Sequence, residues 1–224
     1  MTVRIHPTAV VERDVHLGAG TSVWDCAHIR HSTTLGEDCI VGGKSYLAYG
    51  LTIGNRVKIN SNVYICNGVT IEDGVMISAG TIFTNDRFPR ATTSDLKTLR
   101  GSEPDEHTLQ TLVREGATIG AGAIIGCDLT IGRFAMIGMG SVVTRSVPDF
   151  HLVLGNPARS VGAVCRCGQP VVRWETADSL LSSSKKVAEI ACTSCGLNYV
   201  LDNQAVSEKN NSVGSSPPMR VTGA

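Results

Sequence analysis

An aliphatic residue recurs at every sixth position through most of this chain. The run extends from Ile5 to Ile77 and closes at Phe83, then resumes from Val113 to Val143. A period of six matches neither the helical period of 3.6 nor the strand period of two, so it marks a repeat. Three six-residue units, or hexads, in each turn would point these residues into the bore of a narrow triangular prism. The repeat therefore predicts an all-β fold, a left-handed parallel β-helix of short strands.

Two further positions of the hexad support this prediction. A small residue follows the aliphatic residue by four positions, as in Ala27, Thr33 and Ser45. One large and one small inward residue per strand suit a triangular bore. Glycine often comes directly after the aliphatic residue, as in Gly18 and Gly36. It suits a corner that is crowded or that needs a positive φ.

Charge, hydropathy and cysteine content narrow the function classes. The 224 residues include 20 basic and 20 acidic side chains, a balance that argues against a nucleic-acid or membrane-surface partner. The sequence contains no apolar run of transmembrane length, and we read no signal peptide at Met1. We therefore expect a cytoplasmic protein. Its eight cysteines would then be thiols or metal ligands rather than disulfides.

The hexad period divides the chain into three parts. Residues 1–147 are predicted to form the β-helix, interrupted by an inserted arm loop at 84–112. A loop of this length within a compact fold is usually functional. Residues 148–204 lose the period and contain a cluster of cysteines. Residues 205–224 are polar and are predicted to be a disordered tail.

Polar side chains are predicted to line up beside the arm. Residues 18 apart would lie above one another in successive turns of the β-helix, which places two columns side by side. Their members are His31, Tyr49, Asn67 and Asn85 in one column, and His28, Tyr46, Tyr64 and Ile82 in the other. Each residue alone reads as an ordinary exposed turn residue. Together, at the root of the arm, they favour a ligand-binding cleft.

Four cysteines of the C-terminal part form two close pairs. Cys165 and Cys167 are followed by Gly168, and Cys192 and Cys195 are followed by another glycine. Two such pairs are typical of a tetrahedral, ribbon-type zinc site. The first pair is one residue shorter than ribbon spacing, which leaves an eroded ribbon with free thiols as the alternative. With four protein ligands, the metal would be structural and would have no open position for catalysis.

Several segments match a known sequence pattern. They are Val23-Trp24-Asp25-Cys26-Ala27-His28, the segment from Ile53 to Ile59, Ile82-Phe83-Thr84-Asn85 with Pro89-Arg90, the segment from Leu112 to Gly120, that from Val142 to Pro148, and Gly155-Asn156-Pro157-Ala158-Arg159. Over residues 3–165 the chain resembles the hexapeptide-repeat acyltransferase superfamily. Within it, the chain is most similar to the N-acetyltransferases of nucleotide-linked 3-amino sugars. It departs from that pattern at Asp25 and at Gly43-Lys44-Ser45, which bears on the identity of the sugar or nucleotide.

The resemblance implies a reaction and an assembly. Acetyl would pass from acetyl-CoA to the amine of a nucleotide-linked amino sugar, by direct attack in a ternary complex. It implies a homotrimer with active sites between neighbouring β-helices, acetyl-CoA along the C-terminal coils and the sugar near Asn85. The candidate residues are Asn85, His28 and His31 for catalysis, Tyr49, Asn60, Tyr64, Asn67, Asp86 and Arg90 for the sugar nucleotide, and Gly120, Gly138, Arg145, Pro157 and Arg159 for acetyl-CoA.

Two schemes for the amine proton remain open at this stage. His28 or His31 would act as a general base, since imidazole titrates near neutral pH. Alternatively, no protein base is needed, because a weakly basic sugar amine is already partly neutral and the departing thiolate collects the proton. Asn85 would then accept a hydrogen bond from the amine, with Asp86 as a second candidate for this contact. The resemblance favours the scheme without a base.

Three rival functions fit the same fold. An O-acetyltransferase would act on a sugar hydroxyl. A metalloenzyme like the γ-carbonic anhydrases would need three histidines around an open metal position, yet beyond His28 and His31 the next candidate is His107 in the arm. A non-catalytic scaffold would need neither the arm nor the Asn-Pro-Ala-Arg segment.

Overall fold

Short parallel strands, three to a turn, wind through most of the chain in this computed structural model. The structure describes residues 2–101, 103–175 and 187–209. Strands in successive turns pair in parallel with a register of 18 residues, as where Lys58 and Ile59 pair with Met76 and Ile77. The left-handed parallel β-helix predicted from the hexads is confirmed. No helix in the described ranges is long and apolar enough to cross a membrane.

The strands of the β-helix form three faces. The first face contains β1 (Arg4–Ile5), β4 (Ser22–Val23), β7 (Ile40–Val41), β10 (Lys58–Ile59), β13 (Met76–Ile77), β16 (Thr118–Ile119) and β19 (Met136–Ile137). The second contains β2 (Val10–Val11), β5 (His28–Ile29), β8 (Tyr46–Leu47), β11 (Tyr64–Ile65), β14 (Ile82–Phe83), β17 (Ile124–Ile125) and β20 (Val142–Val143). The third contains β3 (His16–Leu17), β6 (Thr34–Leu35), β9 (Thr52–Ile53), β12 (Val69–Ile71), β15 (Thr111–Val113) and β18 (Leu129–Ile131).

The hexad residues fill the bore as predicted. Ile29, Ile65 and Ile125 are fully buried, and the small residue four positions on is buried with them, as at Ala27 and Thr81. The first turn differs because no coil packs beneath it, so that Ile5 keeps 49% of its surface exposed.

The glycines after the hexad residues are required by crowding. A Cβ at Gly18 would overlap the backbone of Gly36 in the next coil. The positive φ of each corner falls two residues later, as at Gly20 (φ 78°), Asp38 (φ 55°) and Lys44 (φ 59°). Of the two reasons that the sequence offers for glycine, close approach is therefore the one that applies at Gly18.

The arm leaves the second face and returns to the third. Phe83 pairs with Ile125, 42 positions on instead of 18, so 24 residues are inserted. The base of the arm is closed by the Leu109 amide, which donates to the Asn85 carbonyl over 2.8 Å. The regular coil resumes with β15, which begins at Thr111.

The C-terminal part caps the last coils. Strand β21 (His151–Gly155) still pairs in parallel with β19, so the first face continues beyond residue 147. Strands β22 (Ala158–Val164) and β23 (Pro170–Arg173) add to it in antiparallel fashion, and β24 (Val187–Ala191), β25 (Asn198–Asp202) and β26 (Ala205–Glu208) form a separate sheet.

One boundary needs correction. The segment predicted to be disordered from residue 205 begins instead with β26, because its backbone pairs with β25, Val206 opposite Leu201. The remainder of that predicted tail, 210–224, lies outside the described residues.

Candidate active site

The second face carries an aromatic column on its outer surface. The 18-residue register aligns His28 with Tyr46, and Tyr46 with Tyr64. The rings of Tyr46 and Tyr64 stack with centroids 5.2 Å apart, and His28 meets Tyr46 edge-on at 5.5 Å. Ile82 continues the column above Tyr64. These contacts show the alignment that the stacking arithmetic predicts.

The second predicted column follows the adjacent corner. His31 stacks on Tyr49 with centroids 5.2 Å apart. The side-chain amide of Asn67 donates to the Tyr49 carbonyl over 3.1 Å. His31, Tyr49 and Asn67 are all partly buried. The two columns form one continuous polar and aromatic edge, and it leads up to the arm.

Glu12 joins the lower ends of both columns and was missed by the sequence analysis. Its Oε1 lies 2.8 Å from His28 Nε2 and 2.7 Å from Arg30 Nε, and the His31 amide donates to its Oε2 over 3.0 Å. Partial burial raises the pKa of this carboxyl, but the bonds from His28, His31 and Arg30 prevail and lower it to about 2. Arg30 also donates to the Tyr46 hydroxyl over 2.9 Å. Glu12 therefore stays ionised at neutral pH and fixes the orientation of the His28 ring.

Asn85 lies at the root of the arm, partly buried. Next to it, Asp86 accepts from the Phe88 amide over 2.7 Å and pairs with Arg100 at 3.4 Å. These contacts fold the arm, so Asp86 has a structural role there. Arg90 is exposed and donates to the adjacent Pro89 carbonyl.

A cleft of about 420 Å³ opens beside the arm root. It is lined by Thr84, Asp86, Arg87, Gly126, Cys127 and Thr144. Cys127 belongs to the column that continues above Asn85 once the insertion is excised, so the predicted continuation leads into this cleft.

Two arginines predicted to bind acetyl-CoA line one small cleft. Arg145 and Arg159 border a cavity of about 140 Å³ between the last coil and the β21–β22 hairpin. Both side chains are exposed, and Pro157 follows a cis peptide bond in the hairpin turn. Their positive charges are accessible to anionic groups of a ligand.

The predicted glycines have a packing role in the structure. A Cβ at Gly120 would overlap the backbone of Gly138 and Met139, and one at Gly138 would overlap the Leu154 side chain. Both glycines let successive coils approach closely. Both also lie on the first face, on a different edge from Arg145.

Asn60 lies away from the His–Tyr columns. It lines a groove of about 380 Å³ with Trp24, Asp25 and Gly43 on the corner that follows the first face. Within one chain the structure does not bring Asn60 to Tyr49, Tyr64 or Asn67, because they belong to different edges of the prism.

The four C-terminal cysteines converge, although sequence alone could not show it. All four sulfur atoms lie within 4.8 Å of one another, with Cys165 and Cys192 buried and Cys167 and Cys195 exposed. Among residues 2–101, 103–175 and 187–209 this is the one group of three or more metal-ligating side chains found together. Its donor set, four thiols at the corners of a small tetrahedron, fits Zn²⁺.

Family comparisons agree with the hexads. The family described as bacterial transferase hexapeptide (six repeats) matches residues 50–85, and hexapeptide repeat of succinyl-transferase matches residues 32–67. These matches confirm the resemblance to hexapeptide-repeat acyltransferases.

Two curated relatives illustrate the range of similar proteins. The dTDP-3-amino-3,6-dideoxy-alpha-D-galactopyranose 3-N-acetyltransferase of Aneurinibacillus thermoaerophilus is 39% identical over 99 residues, which cover 44% of this chain and 45% of that protein. A serine acetyltransferase of Escherichia coli (strain K12) is 52% identical over 50 residues, which cover 22% of this chain and 18% of that enzyme. The chain therefore spans less than half the length of these relatives.

A solved structure was also found. A mutant of AntD, an N-acyltransferase from Bacillus cereus in complex with dTDP and coenzyme A, gives a TM-score of 0.45 at 21% identity, covering 73% of this chain and 82% of that one. At this score the likeness assigns neither fold nor ligand, and the β-helix stands on the strand pairing of the chain itself.

Proposed function

We propose that this chain is an acetyl-CoA-dependent N-acetyltransferase acting on the amine of a nucleotide-linked amino sugar, with a 3-amino sugar as the expected substrate. The observation that carries the proposal is the 39% identity over 99 residues to a 3-N-acetyltransferase of a dTDP-linked 3-amino sugar. The polar edge beneath the arm and the arginine-lined cleft above it support the proposal, since they offer separate surfaces for a sugar nucleotide and for CoA.

The reaction needs little covalent chemistry from the protein. The neutral sugar amine attacks the thioester carbonyl, the N–C bond forms, and the tetrahedral oxyanion collapses with cleavage of the C–S bond. The amine loses one proton, and the CoA thiolate takes up one. The chain has to hold the amine against the thioester and to support the oxyanion. In our proposal Asn85 accepts a hydrogen bond from the amine, and a backbone N–H supports the oxyanion.

The histidines are too far from Asn85 to share its substrate atom in one chain. His28 and Ile82 are separated by three steps of the strand ladder. With strands about 4.8 Å apart, this places the histidines roughly 14 Å along the axis from the arm root. The proposed mechanism therefore uses no protein base.

The double variant His28→Asn, His31→Asn is expected to lower kcat by less than about tenfold, below the range of roughly 10²–10⁴ that a general base contributes. The pH–rate profile should keep the single ascending limb of the substrate amine. Stopped assays of CoA release across pH would measure both. A loss above about a hundredfold with an unchanged sugar KM would show that a histidine is the base, presented lower on the column or by a neighbouring subunit.

Arg145 and Arg159 are proposed to bind CoA phosphates. Replacing either by glutamine is expected to raise the KM for acetyl-CoA by about tenfold, because a charge-assisted hydrogen bond contributes about 1.5–3 kcal/mol. The KM for the sugar nucleotide should stay unchanged. Arg13→Gln, exposed on the first coil, is the matched control. Equal effects on both substrates would point to a folding defect instead of a phosphate contact.

A homotrimer remains part of the proposal. The outer surface of the second face exposes apolar side chains in one line, with Val10 at 52%, Ile82 at 42% and Ile124 at 39% exposure. Packing against a neighbour would cover this line and would bring a different edge, such as the one with Asn60, close to the His–Tyr columns. Sedimentation equilibrium of the full chain tests the oligomeric state.

O-acetyl transfer is the second candidate, and one observation favours it. The segment similar to serine acetyltransferase is 52% identical over 50 residues. An assay with acetyl-CoA distinguishes the two. Amino sugars linked to UDP, dTDP or GDP are compared with their hydroxyl counterparts, thiol release is followed, and the product is identified by mass spectrometry. Turnover of the hydroxyl substrates alone would overturn the N-acetyltransferase. A three-histidine metal site finds no support among the described residues, where the cysteines are the metal-ligating group found.

A further inference from the structure

The four cysteine sulfurs are arranged as a metal cage. Cys165 Sγ lies 3.3 Å from Cys195 Sγ, and Cys167 Sγ lies 3.6 Å from Cys192 Sγ. A tetrahedral zinc with Zn–S bonds of about 2.3 Å has sulfurs about 3.8 Å apart. The short spacing of the first pair, which left free thiols as an alternative, does not prevent convergence.

Both cysteine pairs lie on tight turns of the same kind. The Gly168 amide donates to the Cys165 carbonyl over 2.8 Å, and the Gly196 amide donates to the Cys192 carbonyl over 2.9 Å. Each glycine has a positive φ, 88° at Gly168 and 77° at Gly196, which favours glycine. The Tyr199 hydroxyl donates to Cys165 Sγ over 3.0 Å. Bonds of this kind orient metal ligands.

The cage lies between the β-helix and the C-terminal sheet. Cys165, Cys192 and Tyr199 are buried together with Phe150, which follows the last coil. Phe150 stacks on Phe134 at 5.6 Å and meets Tyr199 edge-on at 5.5 Å. A sheet of three short strands buries too little apolar surface to fold alone, and small units of this kind are commonly held by a metal.

A second set of contacts connects this sheet to the hairpin that carries Arg159. The Trp174 indole N–H lies 2.8 Å from Ser160 Oγ, which lies 2.8 Å from His151 Nδ1. His151 Nε2 lies 2.9 Å from the carbonyl of Gln204, in the β25–β26 turn. Burial lowers the pKa of His151, which favours the neutral ring that donates to Gln204 and accepts from Ser160. Ser160 directly follows Arg159 on β22.

We propose that Cys165, Cys167, Cys192 and Cys195 hold a structural Zn²⁺ that fastens the C-terminal sheet to the last coil, and that this docking holds the β21–β22 hairpin with Arg159 beside Arg145. The metal site and the docking stand on the geometry alone. The consequence for acetyl-CoA rests on the proposed function.

The metal is tested first, on the full chain purified without chelators. Elemental analysis is expected to find one zinc per chain, and Co²⁺ exchanged into the site should give thiolate charge-transfer absorption. Cys167→Ser and Cys195→Ser change the two exposed ligands and should each abolish this absorption. Cys26→Ser, at an exposed cysteine of the coil, is the matched control and should keep it. Wild-type protein that takes up neither Zn²⁺ nor Co²⁺ under reducing conditions, or ligand variants that retain both, would overturn the proposal.

Docking is tested by amide hydrogen exchange, which needs no substrate. Removing zinc from the wild type with a chelator should speed exchange in β24–β26 by at least about a hundredfold and should also speed it in β21–β22. The coils from Val23 to Ile125 should be unchanged. This arm of the experiment holds even if the cysteine variants fail to fold. Unchanged exchange in β21–β22 after zinc loss would refute the link to the hairpin.

Acetyl-CoA binding, measured by calorimetry with the chelated and the zinc-loaded protein, separates the two proposals. A several-fold loss of affinity on zinc removal is expected. Zinc-loaded protein that binds no acetyl-CoA would refute the proposed function and leave the zinc site standing. Equal affinity with and without zinc would refute the effect on Arg159.

Discussion

Ile65→Asp is expected to abolish folding of the β-helix. Ile65 is fully buried in the bore, and its neighbours there in the stacked coils are Leu47 below it and Phe83 above it. An unpaired carboxylate at this position would cost several kcal/mol, against a total stability of about 5–15 kcal/mol. Circular dichroism and soluble yield would measure the effect.

Two controls show whether the hexad register causes the loss. Ile65→Val keeps an apolar side chain and is expected to cost about 0.5–1.5 kcal/mol. Thr52→Asp introduces the same carboxylate at an exposed strand position, where it should be tolerated. A soluble Ile65→Asp protein with an unchanged melting temperature would refute the inward assignment of Ile65.

Asn85→Ala is expected to lower kcat by about 10²-fold, since loss of a group that orients the attacking atom has effects of this size. The oligomeric state and the melting temperature should stay unchanged, because the contact that closes the arm uses the Asn85 backbone carbonyl, which alanine retains. Steady-state kinetics with both substrates would measure the loss.

The control for Asn85 lies on the same arm. Lys97 is exposed, and Lys97→Ala is expected to keep wild-type turnover. Asn85→Asp tests the role of the amide further, since its carboxylate can still accept a hydrogen bond from the amine and should retain more activity than alanine. Wild-type kcat/KM in Asn85→Ala would remove Asn85 from the proposed site.

Local periodicity was sufficient to predict the fold. One aliphatic residue every sixth position determines which residues enter the bore, and the 18-residue stacking places His28 below Tyr46 and His31 below Tyr49, as the ring contacts show. Ile5 departs from the pattern because burial in a repeat depends on the neighbouring coil, which the first turn lacks on one side.

Contacts outside the stacking arithmetic could not be predicted. Glu12 was missed because the column search looked for histidine, tyrosine and asparagine, whereas its signal is a charge 18 residues before that of Arg30. Asp86 looks like a free carboxylate in the sequence, but the turn at Phe88 and the pair with Arg100 already occupy it. The convergence of the cysteines depends on the path of β22 through β25, for which the sequence carries no period.

The 18-residue register makes the molecule a ruler with a fixed angular scale. Removing one complete turn would shorten the distance between the Glu12–His28 pair and the arm by about 4.8 Å and would leave both on the same edge. Removing a single hexad would rotate everything beyond it by a third of a turn and carry the arm to another edge. Along this chain, insertions and deletions in multiples of 18 therefore change reach, whereas those of six change direction.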